Sequence, residues 1–213
     1  MKDRAASLAA AVLLGLIPVA CQAQDFSTDV VYADSAKPTA PSIGATSSHS
    51  PSKVYVSKDK MRLETRGFSG TILLVDTAEH TAVALFPARK EYQHLIAGPS
   101  EYFRAQDAEN ACPDWQKAGE QTIKCEQVGP EVVDGRQTVK YQNKGAAGNS
   151  AIAGVWVDPA LHFVIKWEDA DAGAELHNIK EGQQPADLFT ISTGYEVLKP
   201  LKKAPKGPSP RPR

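Results

Sequence analysis

The sequence predicts a mainly β, antiparallel fold with one or two helices, and three observations carry that reading. Between Ala151 and Lys180 the chain reads as three short strands separated by Asp158-Pro159-Ala160 and by Asp169-Ala170-Asp171-Ala172-Gly173, residues that bend chains. In the middle strand Leu161, Phe163, Ile165 and Trp167 alternate with His162, Val164, Lys166 and Glu168, the period of two of a sheet with one apolar and one wet face. Upstream, Asp134-Gly135 lies between two strand-like runs and supplies the positive φ angles of a tight hairpin. From Val54 to Ile96 short apolar runs repeat with turn residues between them, a meander, and meanders curl.

The elements follow in order. Met1-Lys2-Asp3-Arg4, the apolar run from Ala5 to Ala20 and the small residues of Cys21-Gln22-Ala23 compose a secretory leader. Residues 1–23 are therefore expected to leave by cleavage near Ala23, and the protein to be periplasmic or secreted. Cys21 raises acylation as an alternative, but Pro18-Val19-Ala20 matches poorly the leucine-led triplet of that processing. Residues 24–198 are read as a single domain. Its first strand, Asp25 to Ala33, is followed by a polar run, Asp34 to Lys53, that joins paired strands without a core of its own. The meander then comprises Val54–Ser57, Met61–Thr65, Thr71–Asp76, Thr81–Phe86 and Glu91–Ile96, of which Thr71–Asp76 is apolar on both faces. A helix is expected from Ser100, as its cap, to Pro113, as its stop, with Tyr102 and Phe103 forming an apolar end able to lid the sheet. The run from Gln184 to Phe189 suggests a single helical turn and Tyr195–Leu198 a last strand, for roughly eight to eleven strands in all.

Charge is distributed unevenly. From Gln24 to Leu198 there are sixteen basic and twenty-four acidic side chains, whereas residues 199–213 carry six basic residues, five prolines and no acid. That tail is expected to be a disordered, basic, proline-rich arm. Loss of the leader leaves Cys112 and Cys125, and an even pair in an exported chain reads as a disulfide contributing about 3 kcal/mol through the unfolded state. The histidines, His49, His80, His94, His162 and His177, are scattered without paired spacing, so no metal site is expected.

The strand Asp25 to Ala33, KVYVSKDKMRLE at 53–64, ILLVDTAEHTAVALFP at 72–87, VWVDPALHFVIKWE at 155–168 and ADLFTISTGYEVL at 186–198 together resemble the lipoprotein-carrier superfamily that includes LolA, LolB and RseB. They are most similar to an uncharacterised secreted bacterial branch of it. The resemblance covers nearly the whole mature chain except the 34–52 run and the tail, and it rests on order and rhythm rather than on one diagnostic motif. It implies a curved, unclosed antiparallel half-barrel lidded by helices, with an apolar concave face for acyl chains. Relatives lock the lid with an arginine in the segment that here reads Val56-Ser57-Lys58-Asp59. Lys58 is the nearest cation, Asp59 stands where proline is expected, and Arg62 is a substitute only in another register.

The function expected is therefore an exported, non-enzymatic binding protein that shelters an apolar ligand, a lipid or the acyl chains of a lipoprotein. Met61, Leu63, Leu74, Leu85, Phe163, Ile165, Trp167 and Leu176 would line the site and Tyr102 and Phe103 the lid. A monomer is expected, with a lipoprotein or envelope protein as macromolecular partner, no nucleic acid and no cofactor. The alternative is an interaction or sensor module of the RseB type that recognises a protein. For catalysis the nearest sets are Asp76, Glu79 and His80, and His162, Lys166 and Glu168, but one lies in a turn and the other alternates along a wet face. There is no nucleophile elbow, HExxH or glycine-rich phosphate loop.

Overall fold

A computed structural model describes residues 25–34, 52–65, 70–96, 102–119, 123–145, 152–169 and 172–199. The expected leader, most of the 34–52 run, the Ser100 cap and the tail beyond residue 199 lie outside them. Two antiparallel meanders make the fold. The first comprises β1 (Phe26–Asp34), β2 (Ser52–Ser57), β3 (Lys60–Glu64), β4 (Ile72–Asp76), β5 (Thr81–Phe86) and β6 (Glu91–Ile96). The second comprises β7 (Cys125–Val133), β8 (Arg136–Asn143), β9 (Gly154–Asp158), β10 (Phe163–Glu168) and β11 (Ala172–Glu181). Pairing of β1 with β11 fuses them, and a two-residue strand, β12 (Glu196–Val197), adds in parallel to the start of β6. The resulting sheet has twelve strands in the order β12-β6-β5-β4-β3-β2-β1-β11-β10-β9-β8-β7, so its two ends do not pair and the sheet is unclosed.

Local chemistry accounts for most of the joints. Asp134 and Gly135 both take positive φ, 47° and 76°, as the β7–β8 hairpin turn requires. Edge strand β7 carries a bulge between Gln127 and Gly129, and Pro130, which has no N–H to offer, follows at once. A second bulge lies in β10, between Val164 and Lys166. It leaves Phe163, Val164 and Ile165 all buried, so Val164 does not lie on a wet face as strict alternation predicts. The strand also begins at Phe163, and Leu161 and His162 belong to the preceding turn.

The helix is displaced from its expected place. Tyr102–Asn110 is irregular, and α1 spans Cys112–Ala118 with Pro113 in its first turn. Proline opens this helix rather than stopping one, because the N–H it lacks would have had no intrahelical partner there. The Asp114 carboxylate accepts the Gln106 N–H at 2.7 Å and ties the irregular stretch to the helix start. Gly119 ends α1, its N–H donating to the Trp115 carbonyl at 2.9 Å. The expected disulfide is present: Cys112 and Cys125, with Cα atoms 5.4 Å apart, join the first residue of α1 to the first of β7.

Paired residues share a face, so the register sorts the sheet. One face, here the inner, carries Phe26, Val30, Val54, Val56, Met61, Leu63, Tyr141, Val155, Val157, Trp167 and Leu176. It buries them against Tyr102, Phe103, Ala105 and Ala111 and against Trp115 and Ala118 of α1 in one core. The outer face is mostly polar. On it Trp156 lies between the Lys140 and Lys166 ammonium groups, 4.3 and 4.8 Å from its ring, and donates its indole N–H to Glu131 at 2.6 Å. The lysine stems thus cover the ring while their charges stay wet.

Candidate apolar site and its cover

Six of the eight residues expected to line an apolar site come together. Met61, Leu63, Phe163, Ile165, Trp167 and Leu176 belong to the inner core, all at most 9% exposed. Leu74 and Leu85 do not join them. Leu74 is paired with Arg62 and Leu85 with Ile72, which places both on the outer face. There Leu74 borders a cavity of about 220 Å³ that is closed in part by Phe189 and Ile191 of the returning C-terminal segment. Strand β4 is apolar on both faces, and only the register reveals which of its residues look inward.

The cover of the inner core is the stretch from Tyr102 to Ala118. Tyr102 and Phe103 are buried as a lid requires, although neither is helical. The Tyr102 ring stacks 6.3 Å from Phe163, whose other side meets Phe26 edge-on at 5.2 Å. Backbone bonds join the cover to β10 where β11 diverges from it: Ala105 N–H donates to the His162 carbonyl at 2.8 Å and Val164 N–H to the Phe103 carbonyl at 3.3 Å. His162 Nδ1 lies 2.9 Å from the Ala105 carbonyl.

A cation does reach the β2–β3 turn, and it is not Lys58 but Arg104 of the cover. Its Nη1 donates to the Leu161 carbonyl at 3.0 Å, its Nε donates to the Lys58 carbonyl, and its guanidinium lies 5.8 Å over the Phe163 ring. Burial pushes the Arg104 pKa down, and Asp25 and Asp59 act against that shift. The arginine is thus carried by the cover, and the β2–β3 turn contributes a carbonyl. Lys58 itself is a turn residue at φ 53° that takes part through its backbone, its N–H donating to Asp25 at 3.0 Å. Arg62 faces away, bonded to Glu64 at 2.8 Å and to the Leu188 carbonyl at 3.0 Å. Arg104 was not singled out from the sequence, since its partners are backbone carbonyls distant in the chain. The one available sign was a guanidinium set beside two aromatics, Tyr102-Phe103-Arg104.

The cover does not extend over the whole inner face. Register continues that face from Met61 and Leu63 to Val75 and Leu73, then to Ala82 and Ala84, then to Leu95 and Gln93. Leu73, Val75 and Ala82 are only half-buried, and Leu95 is 40% exposed. An apolar strip therefore runs out from under the cover across β4, β5 and β6. Within the core, the indole N–H groups of Trp115 and Trp167 are buried without an acceptor among the described residues.

Four of the six residues considered for acid–base chemistry, Asp76, His162, Lys166 and Glu168, are engaged elsewhere. Lys166 pairs with Glu175 at 3.2 Å, Glu168 with Lys140 at 3.7 Å and Asp76 with Lys60 at 3.3 Å, while Asp76 also accepts the Glu79 N–H at 3.1 Å. Among the described residues no three of His, Cys, Asp and Glu come together as metal ligands.

No family model and no curated protein matches the chain. Solved structures resemble it in fold. An uncharacterised conserved protein from Thermus thermophilus overlaps at TM-score 0.49 with 10% identity, over 84% of this chain and 91% of that one. PNGF-II overlaps at 0.49 with 11% identity, over 83% of this chain and 31% of PNGF-II. MucB, in its complex with MucA(peri), overlaps at 0.38 with 14% identity, over 84% of this chain and 58% of MucB. The chain thus spans about a third of PNGF-II and somewhat over half of MucB.

Proposed function

We propose that the chain is an exported, non-enzymatic binding protein that shelters an apolar ligand, a lipid or the acyl chains of a lipoprotein, against the inner face of its unclosed sheet. The observation that carries this reading is the strip of Leu73, Val75, Ala82 and Leu95, which continues the buried core into a half-exposed apolar surface. Burying a methylene contributes about 0.8 kcal/mol, so ten methylenes laid on the strip contribute about 8 kcal/mol, the scale of micromolar binding. Deeper entry means displacing the cover. Hydrogen bonds at Arg104, Ala105, Val164 and His162 help to hold the cover. At about 1 kcal/mol each they add to the burial of Tyr102, Phe103 and Trp115, so the strip outside the cover is the readier place for a chain.

Displacement of a fluorescent fatty acid by unlabelled chains, with native mass spectrometry of the purified protein, tests this. Saturable binding that tightens with chain length is expected. A protein that binds no apolar probe and carries no lipid would end the proposal.

A second reading, recognition of a protein partner, is favoured by Val128 and Val132, exposed by 54% and 62% on edge strand β7. Val132→Lys would abolish capture of that partner and leave fatty-acid binding unchanged. Deletion of residues 199–213 would do the same if the basic arm carries the contact.

A further inference from the structure

A cavity of about 160 Å³ opens where the cover meets the β2–β3 and β4–β5 turns. It is smaller than the roughly 300 Å³ of a site that encloses a whole small ligand, so it suits a head group whose remainder lies elsewhere. Phe103, Ala105 and Ala118, all buried in the core, form its apolar wall, and the strip at Val75 and Ala82 begins beside its turn residues Thr77 and Ala78. The apolar wall of the mouth thus belongs to the same core that the strip continues.

The charged residues around the mouth are of both signs. Arg104 is committed to two carbonyls and Asp114 to the Gln106 N–H. The side chains of Lys117 and His80 have no hydrogen-bond or ion-pair partner among the described residues. Asp59 acts on Arg104 electrostatically, but its carboxylate accepts no hydrogen bond among the described residues. Two acids and three bases line the same small space, and with Arg104 and Asp114 already engaged the groups left to meet a guest are Lys117, His80 and Asp59. A head that presents an anion to Lys117 and His80 and a cation to Asp59 satisfies the set.

Building on the proposed sheltering of an acyl chain, we infer that this mouth holds the zwitterionic head group of an amphiphile, a phosphate bearing an ammonium, with its chain running under the cover and along the strip. Its recognition elements are Lys117 and His80 for the phosphate and Asp59 for the ammonium. All three are exposed, so their substitution leaves the fold in place.

The test compares lysophosphatidylethanolamine, lysophosphatidylglycerol and the free fatty acid, all of one chain length, as competitors of a fluorescent fatty acid on the mature protein. The zwitterionic lipid is expected to compete at least tenfold better than the other two. Lys117→Ala is expected to remove that preference, and Asp59→Asn to move it toward the glycerol head. Equal competition by the three lipids, or a preference that survives both substitutions, overturns the head-group site while the sheltering reading stands. If no chain-bearing competitor binds at all, both fall together.

Discussion

Removal of the Arg104 side chain is the most informative single perturbation. Two hydrogen bonds from a charged donor to the carbonyls of Lys58 and Leu161 are lost, each contributing about 1.5 kcal/mol or more, together with a cation–π contact to Phe163 of about 0.5 kcal/mol. Burial opposes part of this, as its lowering of the Arg104 pKa indicates, and the net loss expected for Arg104→Ala is about 3 kcal/mol. In a domain of this size that lowers Tm by roughly 6–12 °C. If the bonds break when the cover lifts, the same 3 kcal/mol raises the open fraction by about a hundredfold and tightens binding of a long-chain probe accordingly. Thermal unfolding, hydrogen exchange across residues 102–118 and probe titration are the assays. The expected signature is lower stability, faster exchange confined to the cover, and higher probe affinity. Arg104→Lys should behave nearly as the alanine variant, because an ammonium cannot reach both carbonyls in one plane. Loss of stability with weaker binding, or exchange that rises over the whole sheet, refutes the assignment of Arg104 as a latch of the cover.

Three further outcomes follow from the geometry. Reduction of Cys112–Cys125, or its replacement by serine, should lower stability by about 3 kcal/mol in urea titrations, and reductant should then have no effect on the double variant. Hydrogen bonds from Lys53 and then Asn178 hold the Asp29 carboxyl below its ordinary 3.8. A group with a depressed folded pKa contributes stability that is present above the unfolded value and lost as pH falls through the folded one. Asp29→Asn should accordingly flatten the stability profile below about pH 4, in acid titrations followed by circular dichroism, and a profile parallel to wild type would contradict it. Leu176→Ala and Leu74→Ala should each cost about 2–4 kcal/mol, but only the former, on the inner face, should alter binding of an apolar probe.

What could be read in advance was whatever local chemistry determines. Asp134-Gly135 can hardly be anything but a tight hairpin, and the meander from Val54 to Ile96 follows from turn residues at short spacing. The disulfide followed from counting thiols in a chain whose sequence reads as exported. Residues that admit two local meanings were not resolved: Pro113 is as much at home in the first turn of a helix as after the last. The aromatic pair at 102 and 103 needs burial, which an irregular stretch bonded to β10 provides as well as a helix does. The inward face of β4 was hidden because both its faces are apolar, so Leu74 and Leu85 were grouped with residues that lie across the sheet from them. Arg104 was beyond reach for another reason. A side chain whose partners are carbonyls of Lys58 and Leu161, each dozens of residues away, leaves no periodic trace in a sequence.

A sheet that never closes on itself presents two raw borders to every neighbouring molecule, and each would ordinarily template endless lateral stacking. Here one border is hemmed by the molecule's own returning strand β12, and the other is broken midway by the Gly129 bulge and a proline that offers no proton. The openness of the sheet is thereby separated from part of the lateral stickiness that usually accompanies it.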